Sequence, residues 1–166
     1  MDVTRRRFLT AASTTALVMV AVNACAASAM SSPPDTHFAV THTDEEWRTL
    51  LTAAQYSVLR EAGTEQPYSS PLNNEHRHGI FVCGGCALPV FASATKFDSG
   101  TGWPSFYDHL PHAIGERSDS SLGDERTEVH CARCAGHLGH VFDDGPKPTG
   151  LRYCMNGVAM KFVAKA

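Results

Sequence analysis

Two pairs of cysteines have the strongest potential for chemistry in this sequence. They lie in Cys83-Gly84-Gly85-Cys86 and Cys131-Ala132-Arg133-Cys134. Two Cys-x-x-Cys units let four thiolates close a tetrahedron around Zn(II), and Gly84 and Gly85 supply the backbone freedom that a tight ligand turn needs. The spacing predicts a structural zinc site that leaves no coordination position open for catalysis. Its four ligands are Cys83, Cys86, Cys131 and Cys134.

Two other interpretations of these cysteines stay open from the spacing alone. The pairs could form two disulfides if the chain is exported, or a pair could be a redox Cys-x-x-Cys motif. Neither pair opens a clear helix, which disfavours the redox interpretation. The gap over residues 87–130 is wider than a compact zinc ribbon allows, so a metal would join distant parts of one domain.

A further cysteine, Cys154, lies downstream of the pairs. An unpaired cysteine is either a small buried hydrophobe or a reactive thiol, and the cysteine count alone favours the buried one. Arg152 and Asn156 stand two residues before and after Cys154, so on a strand all three side chains would point to one side. A cation and an amide donor beside a thiol favour the nucleophilic thiolate, which makes Cys154 a candidate nucleophile.

Three more side chains are candidates for the same site. His137 and His140 lie in a Gly-rich segment that we expect to be a loop, and imidazole groups hydrogen-bond and transfer protons. Trp103, held beside Pro104, could wall a small apolar pocket, although core packing is the alternative.

The overall composition indicates what kind of protein contains these groups. The chain has 166 residues, of which 43% are hydrophobic and 19% charged. These values fit one globular domain with its own core. The formal net charge is −3, and no basic run lies beyond the first ten residues, which argues against a nucleic acid as partner. We expect a monomer.

The first 29 residues resemble an export signal rather than part of the fold. Arg5-Arg6-Arg7-Phe8-Leu9 precedes a short apolar stretch, and Ala27-Ser28-Ala29 offers a small-x-small cleavage site. The paired arginines are typical of a twin-arginine signal, so we expect export and a periplasmic location. The alternatives are an N-terminal membrane anchor and a lipid anchor on Cys25.

A flexible lead-in is predicted at residues 30–42, followed by one domain over residues 43–166. Thr43 with Glu46 and Thr52 with Gln55 are capping-box patterns, which predict two short helices. The second is expected to end at Gly63. Their predicted apolar faces comprise Trp47, Leu50 and Leu51 in the first helix and Tyr56, Val58 and Leu59 in the second.

Beyond Pro67 the sequence predicts short strands. Segments that fit short strands lie at residues 79–82, 90–91, 128–130 and 141–142, and turn-forming residues separate them. Near the C-terminus, Val158, Met160 and Phe162 alternate with other residues and are expected on one face. The predicted fold class is mainly β and antiparallel, with the two helices at the start.

Several ordered motifs together resemble the peptide-methionine (R)-S-oxide reductase family. The similarity runs from about Thr43 to Phe162, nearly all of the chain after the predicted signal. It is carried by the first Cys-x-x-Cys pair and by four further segments. These are Thr64-Glu65-Gln66-Pro67, the run from Phe97 to Phe106, His137-Leu138-Gly139-His140-Val141-Phe142, and Arg152-Tyr153-Cys154-Met155-Asn156.

The resemblance implies two antiparallel sheets, a structural zinc held by the two cysteine pairs, and a reaction at Cys154. The Cys154 thiolate would attack the sulfur of a methionine (R)-sulfoxide, giving methionine and a Cys154 sulfenic acid. His137 and His140 match the family's active-site histidines, and Asn156 matches a residue that orients the site. Trp103 matches the wall that receives the substrate's methyl group, and we place Arg152 beside it in substrate binding. The implied partners are oxidised peptides or proteins.

One departure from the family concerns the thiol that resolves the sulfenic acid. Many relatives carry a cysteine where this chain has Thr101. Processing would remove or lipidate Cys25, and recruiting a zinc ligand would open the metal site. We therefore expect an external thiol, thioredoxin-like or small, to reduce Cys154. Two alternative functions are a non-enzymatic zinc-binding interaction module and a thiol-disulfide exchanger, which would need a resolving thiol near Cys154.

Overall fold

The structure, a computed structural model, describes residues 38–165. The predicted signal segment and Cys25 lie outside the described residues. No helix within residues 38–165 is long and apolar enough to cross a membrane. The last residues of the predicted lead-in contact the domain, since the Val40 amide donates to the Arg133 carbonyl oxygen at 3.0 Å and the His42 ring meets the edge of Trp47 at 4.7 Å.

Two short helices come first, α1 at Asp44–Leu50 and α2 at Ala53–Glu61. Each begins with the predicted capping box, in which a threonine hydroxyl accepts from a backbone N–H and the partner side chain accepts from the threonine N–H. These caps fix the helix starts at Thr43 and Thr52.

Two details of the helices differ from the prediction. Leu50 is 60% exposed, whereas Trp47 and Leu51 are buried. Leu51 is extended rather than helical, so its side chain turns to the core while Leu50 stays on the outer face. The left-handed residue that ends α2 is Ala62, with φ 53°, rather than Gly63.

Within residues 38–165, nine strands form two antiparallel sheets, as the resemblance implies. The three-stranded sheet has the order β2-β1-β9 and the six-stranded sheet has the order β3-β4-β8-β7-β6-β5. The strands are β1 Gly79–Cys83, β2 Pro89–Ala92, β3 Lys96–Phe97, β4 Ser105–Phe106, β5 Ile114–Asp119, β6 Arg126–Cys131, β7 His137–Phe142, β8 Arg152–Met155 and β9 Met160–Ala164. Short 3-10 helices span Pro71–Asn74, Ser93–Thr95 and Gly157–Ala159.

An aromatic cluster joins the two sheets. Phe81 and Phe91 come from the three-stranded sheet and Phe106 from the six-stranded one, and all three are fully buried. The Phe91 and Phe106 rings stack with centroids 4.4 Å apart, and Phe81 meets Phe106 edge-on at 4.9 Å. Such pairs contribute stability beyond the burial of their large apolar surface, so Phe106 packs in the core and joins β4 to the three-stranded sheet.

The segment with the two histidines is a strand, β7, and not the predicted loop. Side chains three apart on a regular strand point to opposite faces. Here the pairing with β6 shifts register between Val129 and His130, so Leu138 is an extra residue without a partner. This bulge brings the His137 and His140 rings to one side, with centroids 5.4 Å apart.

The predicted alternation near the C-terminus holds only in part. Met160 and Phe162 lie on β9 and pack into or against the core. Val158 lies instead in the 3-10 helix Gly157–Ala159, whose turn breaks the alternation before β9 begins.

The close contact of β7 with β8 requires glycine at position 139. A Cβ there would overlap the carbonyl oxygen of Cys154 and come within 3.0 Å of the Met155 Cα. We expect Gly139→Ala to lower the free energy of unfolding by about 2–3 kcal/mol, because the backbones must separate. Urea denaturation measures this loss.

Gly123→Ala is the matched control for that substitution. Gly123 has no atom within 4 Å of its would-be Cβ and has φ +92°. Only the left-handed backbone should then cost stability, about 1 kcal/mol. Equal losses for the two variants would show that contact between β7 and β8 is not what requires Gly139.

Candidate active site

The two Cys-x-x-Cys pairs fold into matching turns. Cys83 ends β1 and Cys131 ends β6. In each turn the alanine after the second cysteine is left-handed, Ala87 with φ 56° and Ala135 with φ 58°. Its amide donates back to the carbonyl of the first cysteine, at 2.9 Å and 3.0 Å. Both turns therefore present their sulfurs in the same way.

The four sulfur atoms of these turns all lie within 4.8 Å of one another and could hold a metal ion. Cys83 Sγ is 3.7 Å from Cys134 Sγ, and Cys86 Sγ is 3.5 Å from Cys131 Sγ. A tetrahedron with Zn–S bonds of ~2.3 Å has sulfurs about 3.8 Å apart. Three of the cysteines are buried and Cys86 is half-buried, which fits a closed structural site.

The disulfide interpretation does not fit this geometry. A disulfide needs sulfurs ~2.05 Å apart, and all the described cysteines are free. The convergence of both pairs on one point also separates them from a two-cysteine redox motif.

The helices pack against the outside of this cluster. The Arg60 guanidinium donates to the Cys134 carbonyl oxygen at 2.9 Å and lies 4.9 Å from the centroid of Trp47. A Cβ on Gly85 would contact Trp47 and Leu59. The cysteine cluster thus joins β1, β6 and the helices.

Cys154 lies in a small cleft apart from the cysteine cluster. It is paired in register with His140 of β7 on one side and Ser105 of β4 on the other. The cleft has a volume of about 140 Å³. Its lining comprises Thr64, Trp103, Arg126, Gly139, His140, Phe142, Cys154 and Asn156. The structure therefore places Cys154, His140, Asn156 and Trp103 in one cleft.

A carboxylate holds each histidine. His137 Nδ1 is 2.7 Å from Glu128, and His140 Nε2 is 2.8 Å from Asp119. An arginine also binds each carboxylate, Arg117 at Glu128 and Arg126 at Asp119. Ionised carboxylates only accept hydrogen bonds, so each ring carries a proton on the nitrogen that faces its carboxylate, His137 Nδ1 and His140 Nε2.

These contacts also set the charges of the network. Burial alone would raise the pKa of Glu128, but hydrogen bonds from His137 and Arg117 outweigh it and lower the pKa to about 2. Burial lowers the pKa of His140 below its ordinary value of 6.5, and the hydrogen bond with Asp119 offsets this only in part. At neutral pH His140 is therefore neutral.

His137 is more deeply placed than His140. Its side chain is 3% exposed, and its Nε2 is buried without a hydrogen-bond partner among the described residues. It does not line the cleft with Cys154. Its ring instead packs against the edge of His140, so His137 contacts the site through its neighbour.

The Cys154 thiol is protonated in the resting structure. Burial raises its pKa above the ordinary value of 9.0, and the hydrogen bond with Thr101 and the charge of Arg152 lower it only in part. Arg152 therefore favours the thiolate, as expected, but the cost of burying the charged thiolate exceeds its effect.

Arg152 and Asn156 have other partners than the thiol. The Arg152 guanidinium binds both oxygens of Asp144, at 2.7 Å and 2.8 Å, and lies over the Phe142 ring at 4.4 Å. Asn156 follows β8 and is 3% exposed. Its amide group donates to the Leu138 carbonyl at 3.2 Å and accepts from the Glu65 amide at 2.9 Å.

Glu65 connects several parts of the cleft and was not found by sequence reasoning. Its carboxylate accepts from the amides of Gly157 and Val158, at 2.6 Å and 2.9 Å. Its carbonyl accepts from the Trp103 indole at 3.1 Å. The segment Thr64-Glu65-Gln66-Pro67 marks its place in the sequence, but nothing in that segment indicates these contacts.

The cysteine cluster and the cleft together fit one known domain. The chain matches the SelR domain over residues 51–164. The chain belongs to the SelR family of peptide-methionine (R)-S-oxide reductases. It is therefore an enzyme and an oxidoreductase, as its motifs predict.

Individual relatives support the same family. This SelR-family chain is 52% identical over 124 residues to the peptide methionine sulfoxide reductase MsrB of Agrobacterium fabrum, covering 74% of this chain and 92% of the relative. The protein of the same name from Leifsonia xyli subsp. xyli is 53% identical over 127 residues, which cover 75% of this chain and 91% of the relative. The protein of the same name from Pseudomonas entomophila is 56% identical over 117 residues, which cover 70% of this chain and 89% of the relative.

Proposed function

We propose that the chain reduces methionine (R)-sulfoxide in peptides and proteins, with Cys154 as nucleophile. The observation that carries this is the register pairing of Cys154 with His140 in one small cleft. A thiol and a group that moves protons are what the reaction needs, because sulfoxide reduction joins an attack on sulfur to protonation of the oxygen.

The protons of this reaction balance within the site. The Cys154 sulfur attacks the sulfoxide sulfur, its proton passes through neutral His140 to the oxygen, and the S–O bond breaks, which leaves a sulfonium bonded to Cys154 and a hydroxide. The hydroxide then attacks the Cys154 sulfur, and the sulfur–sulfur bond breaks to release methionine. The products are methionine and a Cys154 sulfenic acid, so sulfur is reduced in the substrate and oxidised in the enzyme. A protonated thiol and a neutral imidazole therefore hold the one proton that this exchange requires.

The cleft also offers groups to orient the substrate. The Trp103 ring, half-buried and tied to Glu65, forms an apolar wall for the substrate's methyl group. Asn156 lines the cleft while its amide is held by Glu65 and Leu138. Arg152, fixed by Asp144, supplies positive charge beside the nucleophile. His137 supports His140 by packing against its edge.

We also propose that Cys83, Cys86, Cys131 and Cys134 hold a structural Zn(II). The sulfur spacing and burial support this choice. Zinc bound there would cross-link β1 to β6 and stabilise the fold. It would take no part in the reaction, because the four thiolates would fill its tetrahedral coordination.

An external thiol is the proposed reductant of the Cys154 sulfenic acid. The Thr101 hydroxyl oxygen lies 3.8 Å from the Cys154 sulfur. Thr101 occupies the position at which, by the family resemblance, many relatives have a resolving cysteine. The zinc ligands belong to a separate cluster. No other cysteine lies within residues 38–165.

The repair of exported proteins is a further part of the proposal, supported by the twin-arginine pattern of residues 1–29. That route carries folded proteins, so zinc would be bound before export. Replacing Arg6 and Arg7 by lysine should retain the chain in the cytoplasm. Cell fractionation that finds the variant exported like the wild type would contradict this part.

Stoichiometric reduction without added thiol tests the proposed function. The zinc-loaded protein should reduce about one (R)-sulfoxide per chain and leave the (S)-epimer unchanged. The Cys154→Ser variant should reduce none, since the serine hydroxyl is a far weaker nucleophile than the cysteine thiolate. Chromatographic separation of methionine from its sulfoxide epimers measures both.

Metal content is the control for that experiment. The Cys154→Ser variant should retain about one zinc per chain, as the wild type does, because Cys154 is not a ligand. Full activity in the variant would overturn the proposal and favour a zinc-binding interaction module. Zinc well below one per chain in both proteins would contradict the four-thiolate site.

The fate of Cys154 after one turnover tests the external thiol. Mass spectrometry should find one added oxygen on Cys154 in the wild type. The Thr101→Cys variant should instead form a disulfide between Cys154 and the introduced thiol, with loss of water. Thr49→Cys, on the exposed surface of α1, is the matched control and should behave as the wild type. A Cys154 disulfide within the wild-type chain would refute the hypothesis.

A further inference from the structure

Three hydroxyl groups form a chain that ends at the Cys154 sulfur. Thr101 Oγ1 lies 3.8 Å from Cys154 Sγ, a distance at which sulfur still forms hydrogen bonds. Ser99 Oγ lies 2.8 Å from Thr101 Oγ1 and 2.7 Å from Ser105 Oγ. Ser105 Oγ in turn donates to the Trp103 carbonyl oxygen at 3.1 Å. None of these hydroxyls belongs to the mechanism described above.

The far end of the chain fixes the direction of its hydrogen bonds in the resting site. A carbonyl oxygen only accepts, so Ser105 donates to Trp103. Ser99 then donates to Ser105, Thr101 donates to Ser99, and the Cys154 S–H donates to Thr101. Each hydroxyl then donates to the next group and accepts from the one before it, and Ser99 Oγ also accepts from the Thr101 backbone N–H at 3.5 Å.

A thiolate requires the opposite direction. The Cys154 sulfur, once it has lost its proton, can only accept, and Thr101 must donate to it. Rotation of three O–H bonds achieves this, since Ser105 can donate to Ser99 and Ser99 to Thr101. No heavy atom has to move. Ser105 is fully buried, so its hydroxyl can donate to Ser99 or to the Trp103 carbonyl but not to bulk water.

We propose that Thr101, Ser99 and Ser105 form a reversible hydrogen-bond relay that stabilises the Cys154 thiolate during attack. Thr101 touches the reacting sulfur and is the catalytic member, whereas Ser99 and Ser105 are positioning residues that let its hydroxyl turn. The inference rests on the proposed role of Cys154. It assigns Thr101 a function of its own at the position where many relatives have a resolving cysteine.

Other groups face Cys154 and would act on the thiolate as well. Arg152 lies on the same strand, His140 on β7, and Arg126 lines the cleft from β6. Asp144 and Asp119 neutralise part of the two arginines. The relay differs from them because its atoms are uncharged, so its removal changes the stability of the thiolate without changing the net charge of the site.

Alkylation of Cys154 in the zinc-loaded protein tests the relay. Iodoacetamide reacts with thiolates, and mass spectrometry of the Cys154 peptide gives the rate between pH 6 and 10 without any need for reductase activity. Thr101→Val should slow alkylation near pH 7–8 about tenfold and move its rise to higher pH, because a hydrogen bond to a charged sulfur is lost. Thr101→Ser should stay within about twofold of the wild type.

Two more variants separate the relay from other effects. Ser99→Ala should also slow alkylation, by less than Thr101→Val, because Thr101 keeps its hydroxyl but loses the donor behind it. Thr49→Val, on the exposed surface of α1, should match the wild type. Thermal unfolding of each variant checks that the fold is retained.

The outcomes that overturn the relay are specific. A wild-type alkylation profile in Thr101→Val would show that the hydroxyl does not stabilise the thiolate, and equal losses in Thr101→Ser and Thr101→Val would assign the effect to packing. A wild-type profile in Ser99→Ala would remove the second link. Failure of the proposed function would be seen separately, as reductase activity retained by Cys154→Ser.

Discussion

The antiparallel contact between β7 and β8 is the constraint on which the rest of the site depends. Gly139 lets the two backbones approach until no Cβ would fit between them. One residue later the same pairing sets His140 opposite Cys154. The other edge of β8 pairs with β4, which sets Ser105 opposite Cys154 as well. Cys154 is therefore enclosed between strands, and its pKa is governed chiefly by burial.

Burial also explains why the resting site contains a protonated thiol rather than a charged thiolate. Neither the thiolate nor the imidazolium is favoured in a desolvated cleft, so the resting pair is a thiol and a neutral imidazole. The charged groups around it are balanced in pairs, with Arg126 at Asp119, Arg117 at Glu128 and Arg152 at Asp144. The reaction proposed for Cys154 can then begin by moving one proton within the cleft rather than exchanging one with water.

Local patterns in the sequence predict a large part of this structure. The capping boxes predict both helix starts because the hydrogen bonds of a cap join residues three apart. The Cys-x-x-Cys spacing likewise predicts the matching ligand turns, and the motif order predicts the SelR family. Tertiary contacts explain the differences. The bulge at Leu138 depends on pairing with β6, which the sequence does not show, so the segment with the two histidines is predicted as a loop. Glu65 and Asp119 reach the site from 89 and 35 residues before Cys154 in the chain, and no spacing rule indicates such contacts.

The pH dependence of the single-turnover rate tests most directly the account of Cys154 and His140 as a pair that shares one proton. The reactive thiolate–imidazolium form and the resting thiol–imidazole form contain the same number of protons, so their ratio does not change with pH. We therefore expect a rate constant that is flat from the pKa of His140, below 6.5, to the pKa of Cys154, above 9.0, and that decreases outside these limits. A rate that climbs steadily with pH from 7 to 9 would contradict it, because the thiolate would then react without a proton held on His140.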